Sequence, residues 1–394
     1  MNKQFSRYLD LLRVTAALLV LFAHAAYPVF SGKHVELPSE VGFSSVMVFF
    51  VLSGYVISYV AAEREFTLLD FSISRVSRVY SVVVPAIILT IVVDILFLNI
   101  RPLVNAPEFL ADIPLYQYAK FPKYLMMDLT FGNQLWGRRE PLFTNGTYWS
   151  MCLEVYYYAL FAAAFYFRGL RRIIFLVVLL LLMGPLPLLR FHLWLFGCAA
   201  YWMHRRYQMS VATARLLLGI TAILMAVDLA TDLNLRIDDQ LDLLTNGWVG
   251  RSFLRRFAGD TLTGLTITLN VFAAKYAAIN FGRVGSWFTY LASFSFSLYL
   301  MHVPLLRFWS AYLHPDPIVT VVLVLASIWL LGQFTERQKD RIRNTLRRAL
   351  ARRPAHPSGA NGARQAAPRS EAPQEAMPDR TPCLRPVGHP ISSK

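Results

Sequence analysis

Charge is scarce in this sequence. Asp, Glu, Lys and Arg make up 16% of its 394 residues, against about 25% in an ordinary soluble domain. With 56% apolar residues and a mean hydropathy of +0.43, that scarcity excludes a soluble globule and points to a polytopic membrane protein. Cysteine is nearly absent. Cys152, Cys198 and Cys383 are widely separated, so there is neither a disulfide framework nor metal-ligand spacing. Runs of short alternating strands are missing, which sets aside a transmembrane barrel in favour of helices. Internal repeats are missing too, and the paired halves of many transporters would show as such repeats. Acidic residues number 24 against 39 Lys and Arg. The resulting charge of +15 is no nucleic-acid signature: from Arg341 onward stand eleven Lys and Arg against three Asp and Glu. Most of the remainder falls in short loops, as the positive-inside rule requires.

What the chain does have is apolar segments of membrane-crossing length. Hydropathy predicts an all-α bundle of about ten transmembrane helices, at 8–29, 41–61, 79–99, 148–167, 173–189, 190–203, 211–229, 257–280, 287–311 and 317–335. Pro185 and Pro187 break the middle of this series, which predicts a tight turn between two short helices. Residues 1–340 form the transmembrane domain in this reading. Residues 341–394 form a basic tail without apolar periodicity, expected to be disordered. The start of that tail, RIRNTLRRALARR, suits an anionic lipid surface. Lys3 and Arg7 ahead of the first apolar stretch resemble a signal peptide, but Asp10 and Arg13 interrupt it, so an uncleaved span is expected.

Arginine in the loops at 63–78, 168–172 and 204–208 and in the tail places both termini on the cytoplasmic side. One loop disagrees. Arg251, Arg255 and Arg256 would fall outside, where Asp232, Asp238, Asp239 and Asp242 of the same loop would compensate them.

Several polar positions stand out within or beside the spans. Arg13 and His24 share the first one, eleven residues apart. At about 100° per residue they differ by about 20° around the helix, yet by about 16 Å along it. They therefore share a face without touching. A charge in a span costs about 2.5–3.5 kcal/mol and usually faces a bundle interior or wet cavity. The plainer alternative for Arg13 is neutralisation by Asp10 and snorkelling; for His24 it is an idle headgroup-level histidine. The functional reading makes His24 a general base, since imidazole titrates near neutrality. Glu154 stands in TYWSMCLEVYYY among Trp149, Ser150, Tyr157 and Tyr158. It suits a role orienting a histidine or binding a hydroxyl, whereas the aromatics also suit an interfacial belt. Ser53-Gly54 permits close helix approach. Arg75 and Arg78, three apart at the start of the third span, suit phosphate binding, or reflect topology alone. His302 in SFSLYLMHVPLL reads first as a packing residue.

In this order the segments resemble integral membrane acyltransferase family 3, the bacterial glycan O-acyltransferases. The carrying residues are Leu9-Asp10-Leu11-Leu12-Arg13 with His24, Phe49-Phe50-Val51-Leu52-Ser53-Gly54, Arg75 with Arg78, Trp149-Ser150-Met151 with Glu154, Tyr157 and Tyr158, Ser295 and Ser297 through Leu300 with His302, and Glu336. The departures are Val14 for a glycine, Met47 for an aspartate, Ser81 for a proline, and no proline after Glu336. They mark a divergent branch.

The resemblance implies an enzyme of the bacterial inner membrane. It would move an acyl group, most often acetyl, from cytoplasmic acyl-coenzyme A to a glycan or lipid-linked glycan hydroxyl. No metal is implied. His24, Glu154 and Arg13 would be catalytic and Arg75 and Arg78 would bind the donor. Asp10, Ser53, Trp149, Ser150, Tyr157 and His302 would stand behind them. In this reading the arginines form an inner station, and His24 with Glu154 an outer one. A lipid or glycan transporter is the alternative, because intramembrane Arg, Glu and His also mark translocation paths.

Overall fold

The computed structural model describes residues 1–27, 30, 37–38, 40–100, 121–138, 143–251, 254–313 and 316–351. Every regular element among them is helical. In chain order the α-helices are α1 Lys3–Ala25, α2 Val41–Glu63, α3 Leu68–Ile100, α4 Phe121–Leu129, α5 Trp149–Tyr166, α6 Gly169–Met183, α7 Pro185–Leu189 and α8 Phe191–Arg206. They continue as α9 Val211–Thr231, α10 Leu233–Leu244, α11 Trp248–Arg251, α12 Phe257–Ala274, α13 Gly285–Ala292, α14 Ser295–Leu313, α15 Pro317–Phe334 and α16 Lys339–Ala351.

Local chemistry sets several boundaries. The Asn2 side chain accepts from the N–H groups of Gln4 and Phe5 and so caps α1. Ser210 caps α9 through Thr213, and Asp316 caps α15, with Pro317 opening the helix. At the expected proline break, Gly184 takes φ +75, a conformation open to glycine. The pieces either side, Gly169–Met183 and Pro185–Arg206, are bent by 109°.

By length and composition five helices among the described residues can cross a bilayer, or seven if each bent pair counts as one span. This integral membrane protein therefore shows five to seven candidate spans, and ten are not distinguished. Two reasons are physical. The pieces expected at 173–189 and 190–203 are the arms of one bent pair, and the 15-residue α6 rises only about 22 Å, short of a bilayer core. Helices α5 and α12 are 18 residues each and carry polar side chains that lower their hydropathy. The tail boundary expected at 341 falls inside α16, whose Arg347 pairs with Asp70 at 2.7 Å. The rest of the tail, and residues 101–120 and 139–142 between the third and fourth expected spans, lie outside the described residues.

Helix α2 is the hub. It packs on α1 and most extensively on α8. Glycines make that contact possible: a Cβ on Gly54 would stand 1.9 Å from the Trp194 carbonyl oxygen, and one on Gly197 1.9 Å from that of Val51. The backbones of α2 and α8 thus touch where side chains would hold them apart. Helix α14 packs against α1, α3 and α15, which brings the late His302 to the first helix.

The two ends of the bundle carry different residues. At one end the N-terminal ammonium meets Tyr59 at 3.0 Å, Arg7 donates to the Gly282 carbonyl, Arg205 pairs with Glu63 at 2.7 Å and Arg347 meets Asp70. At the other end stand the last turn of α1 and the first residues of α2, α5, α8 and α12.

Candidate functional site

A cavity of about 70 Å³ is enclosed by α1, α2, α3, α5 and α14. Arg13, Ser53, Arg75, Arg78, Ser150 and Glu154 line it, together with Tyr158 and Tyr299. Four of these helices, α1, α2, α3 and α5, thus bring six of the sequence-predicted positions to one site. Its volume admits a slender chain and not a nucleotide.

Glu154 is held by two hydroxyls, one of them fixed in turn by a tryptophan. Ser53 Oγ donates to its Oε1 at 2.7 Å, and Tyr158 OH makes a short hydrogen bond to the same oxygen. Trp194 Nε1, on α8, donates to Ser53 Oγ at 3.2 Å. This network differs from the expected outer station: Glu154 lines the cavity with the arginines and bonds Ser53 and Tyr158, not His24. The reason is packing, since α5 meets α2 and α3 and delivers its carboxylate to the cavity they share.

The arginines are not equivalent. Arg75 Nη2 donates to both carboxylate oxygens of Glu65 at 3.1 Å, and Glu65 is only 5% exposed. Arg75 is thereby fixed in a buried pair, and removing one partner of such a pair strands the other. Arg78 has no ion-pair partner within 4 Å among the described residues, so its donors remain available to an anion. Arg13 pairs with Asp10 at 3.4 Å, while Asp10 accepts from Thr289 at 2.9 Å. Arg13 also lies within electrostatic reach of Arg78, Glu336 and Glu154. Glu336, in the turn after α15, accepts from the Ser297 N–H at 3.3 Å and closes this charged layer.

His24 does not line the cavity. It stands beyond its wall beside His302, ring centroids 5.0 Å apart and His302 Nε2 at 3.4 Å from His24 Nδ1. Ser150 and Tyr299 share a 2.6 Å hydrogen bond in that wall, and the Tyr299 ring is 6.3 Å from that of His302. Each histidine places Nδ1 2.9 Å from a carbonyl of its own helix, Val20 for His24 and Leu298 for His302. A carbonyl only accepts, so Nδ1 carries the hydrogen in both neutral rings. His24 Nε2 then keeps its lone pair. That is the atom a general base needs.

Two other predicted residues stand elsewhere. Tyr157 is fully buried and donates to the Pro187 carbonyl at 2.6 Å, so it anchors the broken segment. Trp149 stacks on Phe43, at 5.6 Å and 8°, and lines a second, larger cavity. Sequence reasoning passed over Glu65 and Trp194, and gave Tyr299 no role of its own; all three act through contacts between distant segments. It also passed over Arg190, whose signal was available: a charge opening an apolar segment. Among the described residues no group of three or more His, Cys, Asp and Glu could hold a metal ion.

Comparison with known proteins adds one positive finding. The family model described as acyltransferase domain, acyltransferase 3, matches residues 6–332. No curated protein and no solved structure matches the chain. The match spans α1 to α15 and all the residues of both the charged cavity and the histidine pair except Glu336. The chain belongs to the membrane acyltransferase 3 family.

Proposed function

We propose that this acyltransferase uses acyl-coenzyme A, most often acetyl-coenzyme A, and esterifies a hydroxyl of a cell-surface or secreted glycan from the bacterial inner membrane. The observation that carries the reading is the small arginine-lined cavity joined by Tyr299 and His302 to a histidine with a free Nε2. The basic end of the bundle faces the cytoplasm in this account, by the positive-inside rule, and donor phosphates bind Arg78 while the nucleotide stays outside the cavity. The thioester arm passes Arg13 toward His24, along the face that α1 presents over about 16 Å.

His24 Nε2 then takes the proton of the acceptor hydroxyl. The oxygen attacks the thioester carbonyl, the C–S bond breaks, and the departing thiolate takes the proton to leave as the free thiol. Arg13 balances the negative charge that develops on the carbonyl oxygen. Glu154 fixes the cavity wall through Ser53 and Tyr158 and offsets the arginine charge. Loss of the gene should remove one ester-linked acyl group from the surface glycan, read by mass spectrometry before and after mild alkali. Restoration should need His24. Unchanged glycan mass in the deletion strain would contradict the acceptor assignment. Uptake or flipping of a glycan without acyl-coenzyme A would favour a transporter instead.

A further inference from the structure

The second cavity holds about 710 Å³, within the range of small-molecule sites. It opens among the first residues of α2, α5, α8 and α12, the end of the bundle away from the basic loops. Phe43, Trp149, Arg190, Arg255, Arg256 and Asp260 are in its wall. Arginine here runs against the charge asymmetry of the rest of the chain, so its placement calls for a cause.

Two of the arginines are built in. The Arg256 guanidinium lies 4.0 Å over the Phe43 ring, makes a short ion pair with Glu40 and stands 3.7 Å from Asp260. Arg190 lies over both Phe43 and Trp149, at 5.2 and 5.4 Å, and 3.9 Å from Asp260. The stacked rings hold cations on their faces. The third arginine, Arg255, makes no ion pair among the described residues. The aspartates of the nearby loop satisfy backbone groups: Asp232 accepts from the Glu40 N–H, Asp238 from the Gly259 N–H and Asp242 from the Gly250 N–H. Arg255 is exposed and has no hydrogen-bond or ion-pair partner among the described residues. Glu40 and Asp260 pair with Arg256 and Arg190, Asp238 adds negative charge near Arg256, and the Arg255 guanidinium, on the cavity wall, keeps its donors for an oxyanion. Asp260, 3% exposed, also keeps Oδ1 without a hydrogen bond.

The cavity adjoins both parts of the transfer site. Phe50 lines the small cavity and Trp149 the large one, and their rings meet edge-on at 6.2 Å. Gly42, beside Phe43, packs on Ala23, beside His24. We infer that this cavity binds the acceptor, and that the acceptor unit is an anionic sugar whose carboxylate or phosphate engages Arg255. The inference rests on the acyl-transfer reading above. The volume suits one or two sugar rings, the guanidinium fork suits either oxyanion, and Asp260, Gln134 and His192 in the wall suit hydroxyls.

The test uses the full-length protein in lipid nanodiscs. Binding of methyl glucuronide, glucose 1-phosphate and the neutral methyl glucoside is measured by ligand-observed NMR, with acetyl-coenzyme A titrated separately. One anionic probe should bind about tenfold or more tighter than the glucoside, and its identity distinguishes carboxylate from phosphate. R255Q should abolish that preference, R255K should restore part of it, and both should leave acetyl-coenzyme A binding intact, which also shows that they fold. Equal affinity for charged and neutral probes, no binding of any sugar, displacement by anionic phospholipid alone, or a preference that survives R255Q would each overturn the inference. Loss of acetyl-coenzyme A binding in the unaltered protein would instead strike the donor reading.

Discussion

Alanine in place of His24 is expected to slow acyl transfer by about 10²–10⁴-fold, the usual contribution of a positioned general base. The fold should survive the change. His24 is only part-buried, and its Nδ1–H donates within its own helix to Val20 at 2.9 Å. The substitution leaves His302 Nε2 without its neighbour in a fully buried position, a loss of about 1–3 kcal/mol at most. Initial rates at matched amounts of folded protein, with saturating donor, check this. A full rate would remove His24 from the base role and shift attention to His302, the other imidazole of the pair.

The second large effect separates two arginines that the sequence presents as equals. Arg78→Ala should raise the KM for acyl-coenzyme A by about 10–150-fold, the equivalent of one lost hydrogen bond to a charged group, with little change in thermal stability. Arg75→Ala should act mainly on stability, because it strands the Glu65 carboxylate in a buried site. Breaking such a pair costs about 3–5 kcal/mol. Detergent-solubilised melting curves beside donor titrations read the split. The opposite pattern, stable Arg75→Ala with weakened donor binding and unstable Arg78→Ala, would reverse the assignment of the two residues.

The reason for this split was outside the reach of sequence. Arg75 and Arg78 sit three apart on one helix, and spacing alone gives them one task. Glu65, in the turn before α3, takes one of them out of circulation. The same limit applies to Glu154. Its cost in an apolar segment is legible from composition, but which neighbours offset it depends on how α5 packs against α2 and α3. The face of α1 was legible, because a single unbroken helix from Lys3 to Ala25 fixes the angle and rise between Arg13 and His24. The number of spans was not. The break at Pro185 was legible from its prolines, but hydropathy alone does not show that the two arms bend by 109° around Gly184 and can count as one span. The arginines at 255 and 256 were visible as exceptions to the loop-charge pattern. Sequence reading offset them with nearby aspartates; Asp238 does act on Arg256, while the direct partners of Arg256, Glu40 and Asp260, come from outside that set.

A reconstituted transfer tests the acyl-transfer step most directly. Protein inserted into sealed liposomes receives radiolabelled acetyl-coenzyme A, and label is followed into an alkali-labile ester on an added glycan acceptor, with free thiol release measured in parallel. Label should enter the acceptor in equal amount to the thiol released, only when donor is present at the basic end of the bundle, and should fall to background with His24→Ala. Ester formation unaffected by His24→Ala, or acceptor movement across the bilayer with no ester formed, would contradict it.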